Sequence, residues 1–222
     1  MPATLTATEF DRRDLPDWRF VLGAIEATFA TGSFGQAAEL AGRIASAAEA
    51  ADHHPDVNLR PPGTVHVVLT SHDAHGVTEA DVELAATISR LAADGAADSR
   101  PAAIGRIEVA IDVMDRDAVR PFWQAVLGYE AGPAGPDGRI IDIVDPRGVG
   151  PAFWFQQMDE PRTQRNRIHI DVTVPHDVAD ERIAAAVAAG GRVIDDEAAR
   201  AFWILADPEG NEACICTWQD RD

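Results

Sequence analysis

Cysteine is almost absent: Cys214 and Cys216 are the only two in the chain. Two residues apart on an expected strand, they are poorly placed to bridge each other. That excludes a disulfide-stapled fold and leads us to expect a reducing cytoplasm. No apolar run reaches the ~18 residues that a membrane-spanning helix needs. The opening MPATLTATEFDRRDLPDW lacks the apolar core of a signal peptide. Basic charge is scarce, with 19 Lys and Arg against 37 Asp and Glu and a net charge of −18. No stretch supplies a basic stripe, so neither nucleic acid nor an anionic membrane is an expected partner. What is present is globular in character. Hydrophobic residues at 46% and charged residues at 25% argue against disorder, and 222 residues suffice for one large domain or two small ones.

The stretch Asp94–Ala103 (DGAADSRPAA) is small, polar and broken by Gly and Pro, and reads as a linker. It separates an expected domain over 1–98 from another over 104–222. In the first, a strand pair is expected around Arg19–Ala30, with a turn near Thr31–Gly32. Ser33 with Gln36 forms a capping-box pattern, and Ala37, Leu40, Ala41, Ile44 and Ala48 recur at helical spacing. Pro55 disfavours helix at His54, so this helix stops near Ala51. Val65–Thr70 is a strand, and Thr78 with Asp81 opens a second helix.

Beyond the linker the chain repeats itself. Arg106–Val113 (RIEVAIDV) aligns with Arg167–Val174 (RIHIDVTV), and Asp145-Pro146-Arg147-Gly148 with Asp207-Pro208-Glu209-Gly210. Each pair brackets a helix, about Asp117–Leu127 and Asp177–Ala189, and each Asp-Pro-x-Gly turn leads into another strand. Two copies predict two similar half-sheets around a shared cleft. The Asp-Pro pairs read as turn formers.

His53 and His54 follow a helix C-terminus, whose partial negative charge favours imidazolium. His72 follows a strand, and Asp81 lies in the first turn of the next helix. Such imidazoles suit proton transfer near neutral pH. On the residues alone, His53-His54-Pro55 reads first as a helix stop and His72 as a surface turn residue. Glu49-Ala50-Ala51-Asp52-His53-His54-Pro55, Thr70-Ser71-His72-Asp73 and Gly76-Val77-Thr78-Glu79-Ala80-Asp81 together resemble the signature of the pterin-4a-carbinolamine dehydratases. Trp18, Phe29 and Phe34 fall where that family carries aromatics, and the likeness covers about Leu15–Ala93.

The resemblance implies an antiparallel sheet backed by helices, and a hydro-lyase that converts 4a-hydroxytetrahydropterin to quinonoid dihydropterin without a cofactor. It implies His53, His54, His72 and Asp81 as catalytic, with Pro55, Thr70 and Ser71 against the pterin, and a homo-oligomer. A non-catalytic dimerisation module is the other role such a domain implies. Many members carry Trp two residues after His-His-Pro, where this chain has Val57. His66 and His75 match no motif and read as strand and turn residues.

The second half resembles the glyoxalase/bleomycin-resistance/dioxygenase superfamily. The likeness rests on Ile107–Val113, Phe122–Tyr129, Asn166–Asp171 (NRIHID) and Asp207–Glu212 (DPEGNE), and covers about Ile104–Trp218. It implies paired βαβββ modules, and with the first half an α+β protein with an appended small-molecule-binding domain. Metal-using members place four ligands on the inner sheet face. The corresponding positions are Glu108, His169, Cys214 and one around Ala152 or Trp154. The fourth offers no ligand atom, so a divalent metal is not expected, and Glu108 and His169 read as cleft residues or mutual partners. A metal-dependent lyase or dioxygenase is the alternative activity. Trp123, Phe153, Trp154, Phe155, Phe202 and Trp203 are expected in the core, and Gln156 and Gln157 as ligand contacts.

Overall fold

The computed structural model describes residues 2–134, 138–161, 164 and 168–220, and the chain divides into two compact units, Met1–Arg106 and Ile107–Asp222. In unit one, helix α1 (Ala7–Asp11) precedes strands β1 (Arg19–Val21) and β2 (Ala24–Ala30). Helix α2 (Phe34–Ala51) follows, then β3 (Asp56–Arg60), β4 (Thr64–Leu69), a short 3-10 turn at His72–Ala74, helix α3 (Glu79–Asp94) and β5 (Asp98–Ser99). The sheet runs β1-β2-β4-β3, with β5 on the far half of β2.

Alternation decides the core. Ile25, Ala27 and Phe29 of β2 and Val65, Val67 and Leu69 of β4 face the apolar stripes of α2 (Ala37, Leu40, Ile44, Ala48) and α3 (Leu84, Ala85, Ile88, Ala92). Trp18 and Phe29 are buried edge to face, their ring centroids 6.5 Å apart. Phe34, the third expected aromatic, is exposed.

The hairpin turn of the first strand pair lies at Leu22–Gly23, not at Thr31–Gly32. Both its residues have positive φ (48° and 78°), the geometry whose twist matches a two-residue hairpin. The Ser33 hydroxyl accepts from the Gln36 amide, but Gln36 does not close the box in return. At α3 the box is reciprocal, with Thr78 and Asp81 bonding each other's backbone. The expected linker is largely tied down: Asp94 ends α3, Asp98–Ser99 pairs with β2, and the Arg100 amide donates to the Thr28 carbonyl. Backbone pairing, invisible to composition, orders it.

Unit two contains β6 (Glu108–Val113), α4 (Arg116–Leu127), β7 (Glu130–Ala131), β8 (Asp142–Val144) and β9 (Ala152–Gln157). The pattern repeats as β10 (Ile170–Thr173), α5 (Ala179–Ala188), β11 (Arg192–Asp195), β12 (Phe202–Ala206) and β13 (Glu212–Cys216). The sheets run β6-β9-β8-β7 and β10-β13-β12-β11, so each copy lays its last strand parallel to its first. Arg167, where the second repeat was expected to begin, lies outside the described residues. Both helices pack on one core that includes Phe122, Trp123, Phe153, Phe155, Ala186 and Ile215. Trp154, Phe202 and Trp203 are only half-buried.

The paired Asp-Pro turns are organised alike. Asp145 accepts from the amides of Arg147 and Gly150, and Asp207 from those of Glu209 and Asn211. Asp207 also accepts from the buried Trp123 indole at 3.0 Å. Burial pushes the Asp145 carboxyl up, but the Arg147 guanidinium and the turn amides outweigh it and bring it down to about 2. No helix among the described residues is long and apolar enough to cross a membrane.

Candidate active site

The hairpin β3–β4 builds the site. Its antiparallel register sets Asp56 opposite Val68, so the chain entering β3 and the chain leaving β4 meet at one end of the sheet. His53, His54 and Pro55 therefore emerge beside Thr70, Ser71 and His72. Asp52 ends α2 in the left-handed conformation (φ 48°), which turns the chain sharply from helix to strand. The N-terminus of α3 reaches the same end and delivers Asp81.

Asp81 is fully buried and its two oxygens divide the work. Oδ2 accepts from the Thr78 amide at 2.7 Å, the Ser71 hydroxyl at 2.8 Å and the Thr78 hydroxyl at 3.2 Å. Oδ1 meets His53 Nε2 at 2.7 Å. A buried carboxylate with these partners is locked in place, and the ring it holds is locked with it. The bond also directs the tautomer: a neutral His53 that donates from Nε2 keeps the lone pair on Nδ1.

His54 turns outward, its Nε2 3.2 Å from Glu49 Oε1 at the surface. His72 is exposed at the start of the 3-10 turn, and its ring takes no hydrogen bond among the described residues. The structure thus joins His53, Asp81 and Ser71 directly and brings His54 and His72 to the same sheet end as exposed rings. Thr70 donates to the Gly23 carbonyl at 3.3 Å, Ser71 is engaged by Asp81 and Thr78, and Pro55 is half-buried. Val57 packs against the core.

Thr78 was expected only as a cap, yet it completes the network around Asp81. The capping pattern Thr78-x-x-Asp81 carried that signal. A second polar cluster escaped the sequence entirely: Glu26, buried on β2, meets His66 Nε2 at 3.4 Å and the Arg106 guanidinium. Thr28 bonds His66 Nδ1 at 2.9 Å. Burial pushes the Glu26 carboxyl up, but the His66 hydrogen bond and Arg106 leave it below the usual carboxylate range. Only the strand pairing Thr28–His66 brings these residues together.

In unit two, the residues at the superfamily's metal positions do not fit a four-ligand site. Ala152 pairs with Glu108, and neither Ala152 nor Trp154 has a ligand atom. His169 Nε2 pairs with Asp171 Oδ1 at 3.2 Å, not with Glu108. Ligand atoms of His169, Asp171 and Cys214 lie within 4.8 Å of one another, and Glu108 is not among them. Burial first, then Asp171, pushes the Cys214 thiol up to about 12. Gln157, expected as a ligand contact, gives its amide to the Met114 and Met158 carbonyls; Gln156 is exposed.

The model for the family "Pterin 4 alpha carbinolamine dehydratase" matches residues 3–91, and that for "Glyoxalase-like domain" matches 108–216. A Nocardia farcinica protein provisionally named pterin-4-alpha-carbinolamine dehydratase is 44% identical over 80 residues, covering 36% of this chain and 83% of its own. A Picosynechococcus protein of the same provisional name is 38% identical over 93 residues, 41% of this chain and 100% of its own. A glyoxalase/bleomycin resistance protein from Albidiferax ferrireducens has a solved structure that is 24% identical. It covers 50% of this chain and 95% of that one, with a TM-score of 0.40.

Proposed function

We propose, from the premise that this chain belongs to the pterin-4a-carbinolamine dehydratase family and carries a glyoxalase-like domain, that its first unit dehydrates 4a-hydroxytetrahydropterin to quinonoid dihydropterin. The observation that carries this reading is the His53–Asp81 bond, at the sheet end where His54 and His72 also emerge.

The reaction expels the C4a hydroxyl as water and takes a proton from N5; no electrons change hands. His53, held through Nε2 by Asp81, offers Nδ1 as the base for the N5 proton. His54 or His72, each exposed, serves as the acid that protonates the departing hydroxyl. Proton transfer of this kind needs a positioned ring near neutral pH, and no metal or redox cofactor takes part. Asp81 is a positioning residue: it touches His53 and the α3 backbone, not the pterin. Ser71, already bonded to Asp81, supports that carboxylate. Pro55 and Thr70 border the ring. With Val57 partly buried against the core, an aromatic partner for the pterin does not come from that position.

The test follows the ultraviolet decay of synthetic 4a-hydroxytetrahydropterin with the full chain and with its His53→Ala, His54→Ala and His72→Ala forms. Acceleration over buffer that depends on these rings supports the reading. A rate equal to buffer, or one indifferent to all three substitutions, would remove it.

A further inference from the structure

We propose that the groove between α5 and β11 of unit two is a docking site for a partner-protein segment that carries leucine-like side chains beside lysine or arginine. It lies on the helix side of the second sheet, away from the face that holds Asp171 and Cys214, and it does not depend on the pterin reading.

Strand alternation and helix periodicity build the groove. Val193 sits directly opposite Leu205 on β12, and Leu205 is a core residue, so Val193 leaves the helix side of the sheet. Trp203, two residues before Leu205, shares that side. Ile183 and Val187, four residues apart, lie one above the other on α5, with Ala184 beside them. These five residues line one groove. The helix does not close over the sheet edge: Val187 remains 44% exposed and Val193 39%.

The chain reverses at Gly190–Gly191 between helix and strand, so the start of α5 and the end of β11 share one end of the groove. That end carries Asp180 and Asp196. Neither side chain takes a hydrogen bond or ion pair among the described residues. Glu181, Asp195 and Glu197 adjoin them in the chain. The neighbouring cations are engaged elsewhere. Arg182 donates to the Val126 carbonyl, Arg192 to the Asp207 carbonyl, and Arg200 pairs with Asp220. One end of the groove is thus apolar, and the other is acidic without a counter-charge among the described residues.

The acidic end selects the occupant, because complementary charge steers the right partner in and keeps the wrong one out. A second copy of this chain, with 37 acidic side chains against 19 basic, would bring like charge to it. A segment in which an apolar side chain neighbours Lys or Arg satisfies both ends. The apolar group covers Val187 and Val193, and the cation meets Asp180 and Asp196. Trp203 offers a ring face to an arginine. Its indole N–H, which has no acceptor among the described residues, is available to a backbone carbonyl. The groove is open to solvent, which suits a continuing chain better than a small ligand that needs most of its surface enclosed.

The probe is a fluorescein-labelled peptide, Lys-Leu-Arg-Leu-Lys, titrated with the full-length protein and followed by anisotropy. Saturable binding is expected, and a Lys-Ser-Arg-Ser-Lys peptide of equal charge should bind at least about tenfold more weakly. The double variant Asp180→Asn/Asp196→Asn should lose at least about fivefold in affinity. Asp11→Asn/Asp14→Asn, an equal loss of charge in unit one, should change nothing. Val187→Glu separates the two contributions: it adds negative charge, so attraction by charge alone would tighten binding, whereas docking in the groove predicts a loss of at least about tenfold. Far-ultraviolet circular dichroism confirms the fold of each form. The proposal is overturned by absence of saturable binding, by equal binding of the serine peptide, by equal losses in the two double variants, or by unchanged or tighter binding in Val187→Glu. It is also overturned if octyltrimethylammonium binds the groove and the peptide does not, or if the protein alone sediments as a dimer that Val187→Glu dissolves.

Discussion

Each unit holds a histidine against an aspartate, and the two pairs differ in nearly every physical respect. His53 meets Asp81 at 2.7 Å, with side-chain exposures of 17% and 0%. His169 meets Asp171 at 3.2 Å, with exposures of 55% and 61%. Asp81 is fixed by a helix cap and a hydroxyl before it touches the ring, so the imidazole inherits a position that the fold has already settled. Asp171 stands on a strand in water, where an isolated ion pair contributes on the order of 0–1 kcal/mol. The buried pair is held in one arrangement, whereas the exposed pair is not. The same two residue types thus acquire different capacities from burial and from the groups that fix the carboxylate.

The largest effect that should separate the pairs is on the pterin reaction. His53→Ala is expected to lower its rate by about 10²–10⁴-fold, while His169→Ala leaves it unchanged in the same ultraviolet assay. Equal losses would erase the contrast. Next comes stability. Asp81→Ala leaves the Thr78 amide and the Ser71 hydroxyl without their acceptor, and should cost roughly 3 kcal/mol. Asp171→Ala should stay within about 0.5 kcal/mol. Denaturant midpoints of the two variants check this.

Asp145 gives an intermediate case, a buried carboxylate facing an exposed guanidinium. Its carboxyl lies near 2 when folded, below the ordinary 3.8. Its stabilisation is therefore present in full above pH 4 or so, and is lost as pH falls toward 2. Allowing for the exposed Arg147, about 1–2 kcal/mol is at stake. Asp145→Asn should flatten the acid limb of stability between those values, as followed by thermal melts across pH. The smallest effect is that of Thr78→Ala, which removes one cap hydroxyl and should cost about 1 kcal/mol. It should also loosen His53, seen as a lower pterin rate at unchanged fold.

Much of this architecture was legible in sequence because periodicity and repetition leave marks. The α2 and α3 stripes, the paired Asp-Pro turns and the order of the histidine motifs can all be read before any coordinates. Strand β3 was not, since Asp56–Arg60 buries only Val57 in part and owes its conformation to pairing with β4. The Leu22–Gly23 turn was missed for a related reason: a leucine at positive φ carries no turn signal. In the site, the motifs named the histidines and Asp81. They did not reveal that Ser71 would be engaged by Asp81, or that His169 would choose Asp171 over Glu108. The first depends on where the start of α3 meets the loop after β4, and the second on two residues sharing one face of a single segment.

The strand order of unit two has a consequence for synthesis. In each half the final strand lies inside its sheet, between the opening strand and the third. A ribosome that has released everything up to Ala206 has delivered the two flanks of the second sheet without the piece that joins them. Until Glu212–Cys216 emerges, Ile170–Thr173 has no neighbour to pair with, and its exposed edge is a target for chaperones or stray strands. The emergence of Glu212–Cys216 should therefore decide when this sheet can close.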